Sequence, residues 1–466
     1  MNLRLFFVIL ISKLAIKICR FLHLGGTSFP GKLARKLYPY ILKAIAAGHR
    51  IIMVTGTNGK TTTTSMIGHI LSENGIRYIS NKSGANLEYG IITTFIESYR
   101  FGRKNDETAL LEIDEAAFPK VVANLEPDCI VVTNFFRDQL DRYGEIYTTV
   151  NKIQKSIENL KKTKLILNAD DSLCSSLGRN SSIEKLYYGF EKSLNFDASV
   201  NNSSDAAYCI YCKTKYDYAN RIYGHLGGYS CPNCHYSSPE ADVMCSALIE
   251  ASDKYSLIEL STSLPSDKKE VQNNIVKINV PGLYNIYNSM SAVTCGLALG
   301  LSLENSVKAL ERFENSFGRM ENIRISNLNI NIILVKNPTG FNQVLEYLSS
   351  FPEVNQLALL INDNAADGRD ISWLWDVEFE KLSGHQDRFE KIYVSGTRAE
   401  DMALRLKYAG FDTKRIELVK DYNKIINSAI SNNYPEKSFC ILPTYTALLE
   451  IRRVLQKKIR LKEIWK

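Results

Sequence analysis

The sequence predicts an α/β protein organised around a parallel sheet, with a phosphate loop at the sheet edge and a second α/β region behind it. Three observations carry this. Short apolar runs suited to buried strands recur at residues 51–55, 108–113, 129–133 and 164–168, with helical stretches between them. That alternation is the pattern of a parallel sheet. The first run leads directly into Thr55-Gly56-Thr57-Asn58-Gly59-Lys60-Thr61-Thr62 and then an amphipathic stretch over 61–74, so strand, glycine-rich loop and helix follow in order. A fresh set of strand-like runs starts at 330–335 and continues at 357–362, 391–395 and 438–442.

From the N-terminus, residues 1–45 read as helical and basic. The run LFFVILI at 5–11 is too short to span a bilayer, and no small-residue cleavage site follows it. A helix carrying Arg4, Lys13, Lys17 and Arg20 beside Leu, Phe and Ile either docks on the body of the protein or lies in a membrane interface. The chain has 466 residues, 45% hydrophobic and 23% charged, a globular mix long enough for about three domains. A net charge of +7 suits acidic substrates or a membrane surface. Without a basic stripe interleaved with aromatics it does not point to nucleic acid.

In the loop, Gly56 and Gly59 let backbone N–H groups approach phosphate oxygens, and the helix that follows adds its positive end. Lys60 reaches terminal phosphates, and Thr61 or Thr62 offers a hydroxyl to Mg²⁺. Val54 stands where the commoner phosphate loop has its first glycine. Glu112 closes the run 108–113, with Asp114 and Glu115 after it. One of these three is expected to be a metal or catalytic carboxylate, since the C-terminal edge of such sheets is where ligands lie.

The pattern breaks over 195–240, which is polar and rich in Tyr, Ser, Asn and Gly. It holds Cys209-x2-Cys212 and, eighteen residues on, Cys231-x2-Cys234, the spacing of a structural Cys₄ zinc ribbon. The other six cysteines are scattered, mostly in apolar stretches, which fits a reducing cytoplasm. Further on, 362–376 reads NDNAADGRDISWLWD after a predicted strand. Asp363, Asp367, Asp370 and Asp376 are all candidates for function there. The plain alternative is an acidic turn with Trp373 and Trp375 in the core.

These pieces carry a resemblance. TGTNGKTTT, EIDE at 112–115, TNFFRDQLDRYGE at 133–145, LNADD at 167–171, PGLYNIYN at 281–288 and FGRME at 317–321 occur in the order of the central domain of the Mur ligase family. With the Cys₄ insertion, NDNAADGRDISWLWD, SGTRAEDMALRL at 395–406 and LPTYTA at 442–447, the chain resembles the MurT branch of that family from about residue 25 to its end. The resemblance implies a Mur ligase-type central domain over 46–322, interrupted by the ribbon at 195–240, and a C-terminal α/β domain over 323–466. It implies ATP held by residues 56–62, Mg²⁺ on Thr61 and Glu112, Asn285 and Asn288 beside the nucleotide, and Arg319 near the phosphates.

The function implied is ATP-driven amidation of the D-glutamate α-carboxylate of lipid II at the inner face of the plasma membrane. Ammonia would come from a GatD-type class I glutaminase, whose Cys and His are completed in trans by Asp370. Two departures from the family pattern stand out. Gln139 replaces a histidine between Asp138 and Asp141, and Lys336 replaces the histidine of a His-Asn-Pro motif. A carbamylated lysine used by several members has no assigned position here. The rival readings are a Mur-type ligase joining an amino acid to a carboxylate and a regulatory ATP-binding module.

Overall fold

The computed structural model describes residues 3–22, 27–81, 84–102, 105–137, 146–194, 205–252, 254–264, 272–314, 319–325, 327–350, 354–431, 438–459 and 461, with the side chains of 319, 320 and 350 left aside. Three expectations fall outside these bounds: the motif around Gln139, the first part of the insertion, and the side-chain role of Arg319.

The chain enters a nine-stranded sheet through β1 (Arg50–Thr55), β2 (Tyr78–Ser80), β3 (Thr108–Glu112), β4 (Cys129–Val132), β5 (Lys164–Asn168) and β6 (Glu184–Phe190), all paired in parallel. β7 (Asp217–Tyr223) and β8 (Leu226–Ser230) form a separate hairpin. β9 (Val243–Ala251), β10 (Ser256–Thr262) and β11 (Gln272–Ile278) complete the first sheet, whose order is β11-β10-β9-β6-β5-β4-β1-β3-β2. The reason for the unbroken apolar runs is visible in the packing. Ile51, Met53, Leu111, Ile130 and Leu165 enter one core, while Ile52, Val54, Leu110, Val131 and Ile166 enter the other. Alternate residues of one strand face opposite sides, so a strand covered on both faces has no polar face to show.

The expected parallel arrangement holds beside the loop but not throughout. β10 pairs antiparallel with both β9 and β11, while β9 pairs in parallel with β6. β9 and β10 are joined by four residues at 252–255, too few for the crossover a parallel pair needs.

The second sheet is built from β12 (Arg319–Ile325), β13 (Leu328–Ile333), β14 (Val354–Leu360), β15 (Lys391–Ser395), β16 (Ile416–Leu418) and β17 (Ser438–Pro443). Its order is β12-β13-β17-β14-β15-β16, parallel except for the β12–β13 hairpin. The buried Arg452 of the helix Tyr445–Gln456 pairs with Glu321 of β12 and ties the last helix to the strand that opens this region.

The N-terminal helix Leu3–Phe21 docks on the first core through Leu5, Val8, Ile9 and Ile16. Arg20 pairs with Glu97 at 2.5 Å. Among the described residues no helix is long and apolar enough to cross a membrane.

Candidate active site

The loop after β1 is fixed by the segment that follows β4. Thr57 N donates to Asn134 O at 2.8 Å, Asn58 N donates to Asn134 Oδ1 at 3.0 Å, and the Thr57 hydroxyl both donates to Phe136 O and accepts from Phe136 N. Both glycines are required by shape. Gly56 has φ +122 and a Cβ there would meet Thr133 Oγ1 at 2.3 Å; Gly59 has φ +83 and a Cβ would meet Asn288 Oδ1 at 2.2 Å. Gly59 caps the helix Lys60–Glu73, so the free N–H groups of its first turn point into the loop, as an anion site needs.

Lys60 is buried. Its Nζ donates to Gly56 O, to Thr57 O and to Glu115 Oε2, the last at 3.0 Å. Burial opposes its charge, but Glu115, Asp114 and Glu112 outweigh burial and hold the ammonium above the ordinary lysine range. Burial pushes the Glu115 carboxyl up, against the pull of Lys60 and Lys336. Lys336, the residue that departs from the family pattern, is therefore within electrostatic reach of Glu115.

Glu112, Asp114 and Glu115 are all buried. Asn81 clamps the backbone of Glu112, accepting from Glu112 N at 2.9 Å and donating to Glu112 O at 2.9 Å, and Asn86 Nδ2 donates to its carboxylate at 3.4 Å. Thr61 is half-buried at the first turn of the helix. Three carboxylates beside Lys60 and Lys336 leave surplus negative charge, which suits Mg²⁺ shared with phosphate oxygens and water. They do not converge as a protein cage, which is how this ion is usually held. Among the described residues, the one set of three or more His, Cys, Asp or Glu close enough to share a metal is the four thiols.

Asn285 and Asn288 are buried on the helix Leu283–Ala298. Asn288 Oδ1 accepts from the Thr63 hydroxyl, Asn288 Nδ2 donates to Asn285 Oδ1, and Asn285 Nδ2 donates to Pro281 O. Together with Asn58, Gly59 and Thr62 they line a cleft whose other wall is Ile333, Thr339, Gly340 and Gln343 from the second α/β region. Asn337 Nδ2 donates to Asn58 Oδ1 at 2.9 Å across it. Arg319 opens β12 opposite Ile333.

Sequence reasoning missed Tyr223. It is the last residue of β7, at the tip of the cysteine-bearing hairpin, yet it is buried and lines the same cleft. Its ring stacks on Phe136 at 5.8 Å and 14°. Beside it His225 is buried with Nε2 3.3 Å from Asp171 Oδ1. Nothing in the spacing of a ribbon says which core its tip enters.

The two Cys-x-x-Cys turns are near copies. Lys213 N donates to Cys209 O and Cys209 N to Thr214 O; His235 N donates to Cys231 O and Cys231 N to Tyr236 O. Lys213 and His235, at matching places, are the two non-glycine residues with positive φ among those described. Sγ atoms of Cys209 and Cys234 lie 3.5 Å apart and those of Cys212 and Cys231 3.3 Å, with all four within 4.8 Å of one another. A tetrahedral Zn–S₄ site with bonds of about 2.3 Å needs thiolates this close, so the donors fit that ion.

The structure separates the four aspartates of 362–376. Asp363 is held by Thr397 and Arg398, and these contacts draw its carboxyl down. Asp367 is buried and accepts from the Thr446 amide and hydroxyl. Asp370 is partly exposed, accepts from Ser372 N at 2.8 Å, and is kept below the ordinary carboxylate range by Ser372. Asp376 is exposed at the end of the short 3₁₀ turn Ser372–Asp376. Trp373 packs in the core, but Trp375 does not. It is 52% exposed and edges onto the exposed Tyr408 at 5.7 Å.

Residues 54–233 match the family model described as Mur ligase middle domain, and 334–448 match that described as MurT ligase C-terminal. The lipid II isoglutaminyl synthase (glutamine-hydrolyzing) subunit MurT of Staphylococcus aureus strain COL is 36% identical over 452 residues, 96% of this chain and 97% of that one. Its counterpart in Streptococcus pneumoniae R6 is 33% identical over 433 residues, 93% of each. Among solved structures, a pseudomurein peptide ligase type C from Methanothermus fervidus aligns with a TM-score of 0.64 at 22% identity, covering 88% of this chain and 79% of that one. MurF from Thermotoga maritima in complex with ADP aligns at 0.62 and 14% identity, covering 92% and 84%.

Proposed function

The chain belongs to the MurT family of lipid II isoglutaminyl synthase subunits, and from that premise we propose how its residues make the amide. The γ-phosphoryl group of ATP passes to an oxygen of the D-glutamate α-carboxylate of lipid II, giving ADP and an acyl phosphate. Ammonia then attacks the acyl carbon, inorganic phosphate leaves, and D-isoglutamine remains. Residues 56–62 hold the phosphates by backbone N–H groups and the helix end, and Lys60 neutralises charge on the group in transfer. Asn285 and Asn288 bound the nucleotide cleft, and Arg319 is assigned to the phosphates. Thr61 and Glu112 would hold Mg²⁺, which supplies charge neutralisation on the phosphate oxygens. Cys209, Cys212, Cys231 and Cys234 would hold Zn²⁺, which would supply a structural cross-link for the hairpin.

The ammonia source is a GatD-type class I glutaminase in a heterodimer with this chain, and Asp370 is the carboxylate that orients its catalytic histidine. The observation that carries this reading is the position and freedom of Asp370. It follows β14, which runs parallel to β17, as does β13, the strand leading to Asn337. The Asp370 loop therefore lies on the same sheet edge as the nucleotide cleft. Of the other aspartates in this segment, Asp363 is committed to Arg398 and Asp367 to Thr446; Asp370 is bound to Ser372 and still reaches solvent, and Asp376, also exposed, closes the short turn beyond it. A lipid-linked substrate places this chemistry at the inner face of the plasma membrane.

The test is Asp370→Asn in the purified heterodimer, assayed with lipid II and either glutamine or ammonium. The amidated product is lighter than the acid by about one dalton. Glutamine-dependent amidation is expected to fall by at least about a hundredfold, with ammonium-dependent amidation retained. Unchanged glutamine use would end the assignment of Asp370. Amide formation with a free amino acid and no partner would end the reading as a whole.

A further inference from the structure

The N-terminal helix has two apolar faces, and the fold uses one of them. Leu5, Val8, Ile9 and Ile16 are buried against the body. Leu3, Phe7, Leu10, Leu14, Ile18 and Phe21 recur at the helical repeat along the opposite side and are between 48% and 83% exposed. Soluble surfaces scatter such side chains singly; a continuous stripe marks a contact. The surroundings specify the contact's charge. No Asp or Glu occurs before Glu73, while Lys17, Lys32, Lys36 and Lys43 are exposed on this helix and the two short helices that follow it. The helix Phe29–Leu37 also exposes Phe29.

We propose that this stripe and its basic flank form a docking surface for an anionic phospholipid bilayer, with the apolar side chains entering the acyl boundary and the lysines meeting the headgroups. This rests on the lipid-linked substrate of the reading above. A second copy of the chain would bring a basic surface, whose Glu97 is already paired with Arg20, against its like, which electrostatics disfavours. An anionic bilayer satisfies the apolar stripe and the charge together. No described helix is long and apolar enough to span a membrane, so the helix lies on the surface.

The site is connected to that surface through few residues. Arg20 and Lys13 bind Glu97, near the end of the helix Glu88–Ser98. That helix begins two residues after Asn86, which donates to Glu112. The docked face and the metal carboxylate thus belong to one wall of the domain.

The experiment is sedimentation of the full chain, in complex with its glutaminase, with vesicles of phosphatidylcholine alone or mixed with phosphatidylglycerol, at low and high salt. Binding is expected to the mixed vesicles and to weaken with salt. The double variant Phe7→Glu/Leu14→Glu should lose at least about tenfold in vesicle affinity. Its melting temperature, ATP affinity and turnover on a short-chain soluble lipid II analogue should match the parent. No binding to anionic vesicles, or equal binding by the variant, overturns the proposal. So does self-association that the variant abolishes, or vesicle binding shown by the chain alone and lost in the complex. Failure of the amidation reading shows separately, as no turnover of the soluble analogue by the parent.

Discussion

Asp170 shows how a motif residue can serve the fold at a cost that depends on pH. It is buried, and its Oδ2 accepts from Phe190 N and from the Tyr287 hydroxyl. Burial pushes its carboxyl up to about 6, partly offset by those two bonds. The folded value is above the ordinary 3.8, so folding favours the neutral form. The penalty for ionising is absent below the unfolded pKa and grows as pH rises to about 6, to at most about 3 kcal/mol. Asparagine can present the same accepting oxygen without the charge. Asp170→Asn should therefore be more stable than the parent at pH 8 and equal to it at pH 4, by denaturant titration. A difference that is the same at both pH values would show that Asp170 does not titrate in this range. Lys60 is the opposite case: burial alone would strip its charge, and the acidic strand end keeps it.

At the scale of elements, what the sequence revealed depended on whether an element signals its own partner. The strands 51–55, 129–133 and 164–168 have unbroken apolar centres, and they became β1, β4 and β5 within a residue at each end. The phosphate loop was legible because glycine, lysine and threonine at that spacing do one job. Four thiols at ribbon spacing were equally plain. Asp370 was not separable from its neighbours by residue type, since what sets it apart from Asp363 and Asp367 is that Arg398 and Thr446 hold those two. The antiparallel strands β9 to β11 were also missed, because a run such as QNNIVKI shows only weak alternation.

Tyr223 was invisible for a different reason. It joins two elements far apart in sequence, and its role has a measurable consequence. The ring that lines the nucleotide cleft is carried on the hairpin β7–β8, whose far end is organised by the four cysteines. Stripping zinc with a chelator, or Cys212→Ser, should lower the melting temperature and weaken nucleotide binding by about three- to tenfold, read by calorimetry. That is the scale of losing one well-packed aromatic contact. Nucleotide affinity unchanged in the zinc-free protein would show that the tip holds its place without the ribbon.

At the scale of the whole molecule, the cleft proposed for the nucleotide is a joint between two α/β regions. Asn58 of the phosphate loop and Asn337 of the second sheet's edge meet across it, and a Cβ built on Gly84 would stand 3.5 Å from the Tyr445 hydroxyl. Tyr445 adjoins Thr446, which holds Asp367 in the loop of Asp370. If the Asn58–Asn337 contact sets closure, Asn58→Ala and Asn337→Ala should each raise the KM for ATP. The double variant should then cost less than the two losses added, by about 1 kcal/mol of coupling. Strict additivity would show that the contact is incidental to closure.

The tip of the cysteine hairpin has one more implication, for chemical intervention. A compound built only on the phosphate loop and the asparagines would use Asn58, Gly59, Asn285 and Asn288 of the cleft. One extended to Tyr223, whose ring stacks on Phe136, would also read a wall carried by the cysteine-bearing hairpin. Resistance to such a compound by loss of the Tyr223 ring would come with a weakened hold on the nucleotide proposed to bind there.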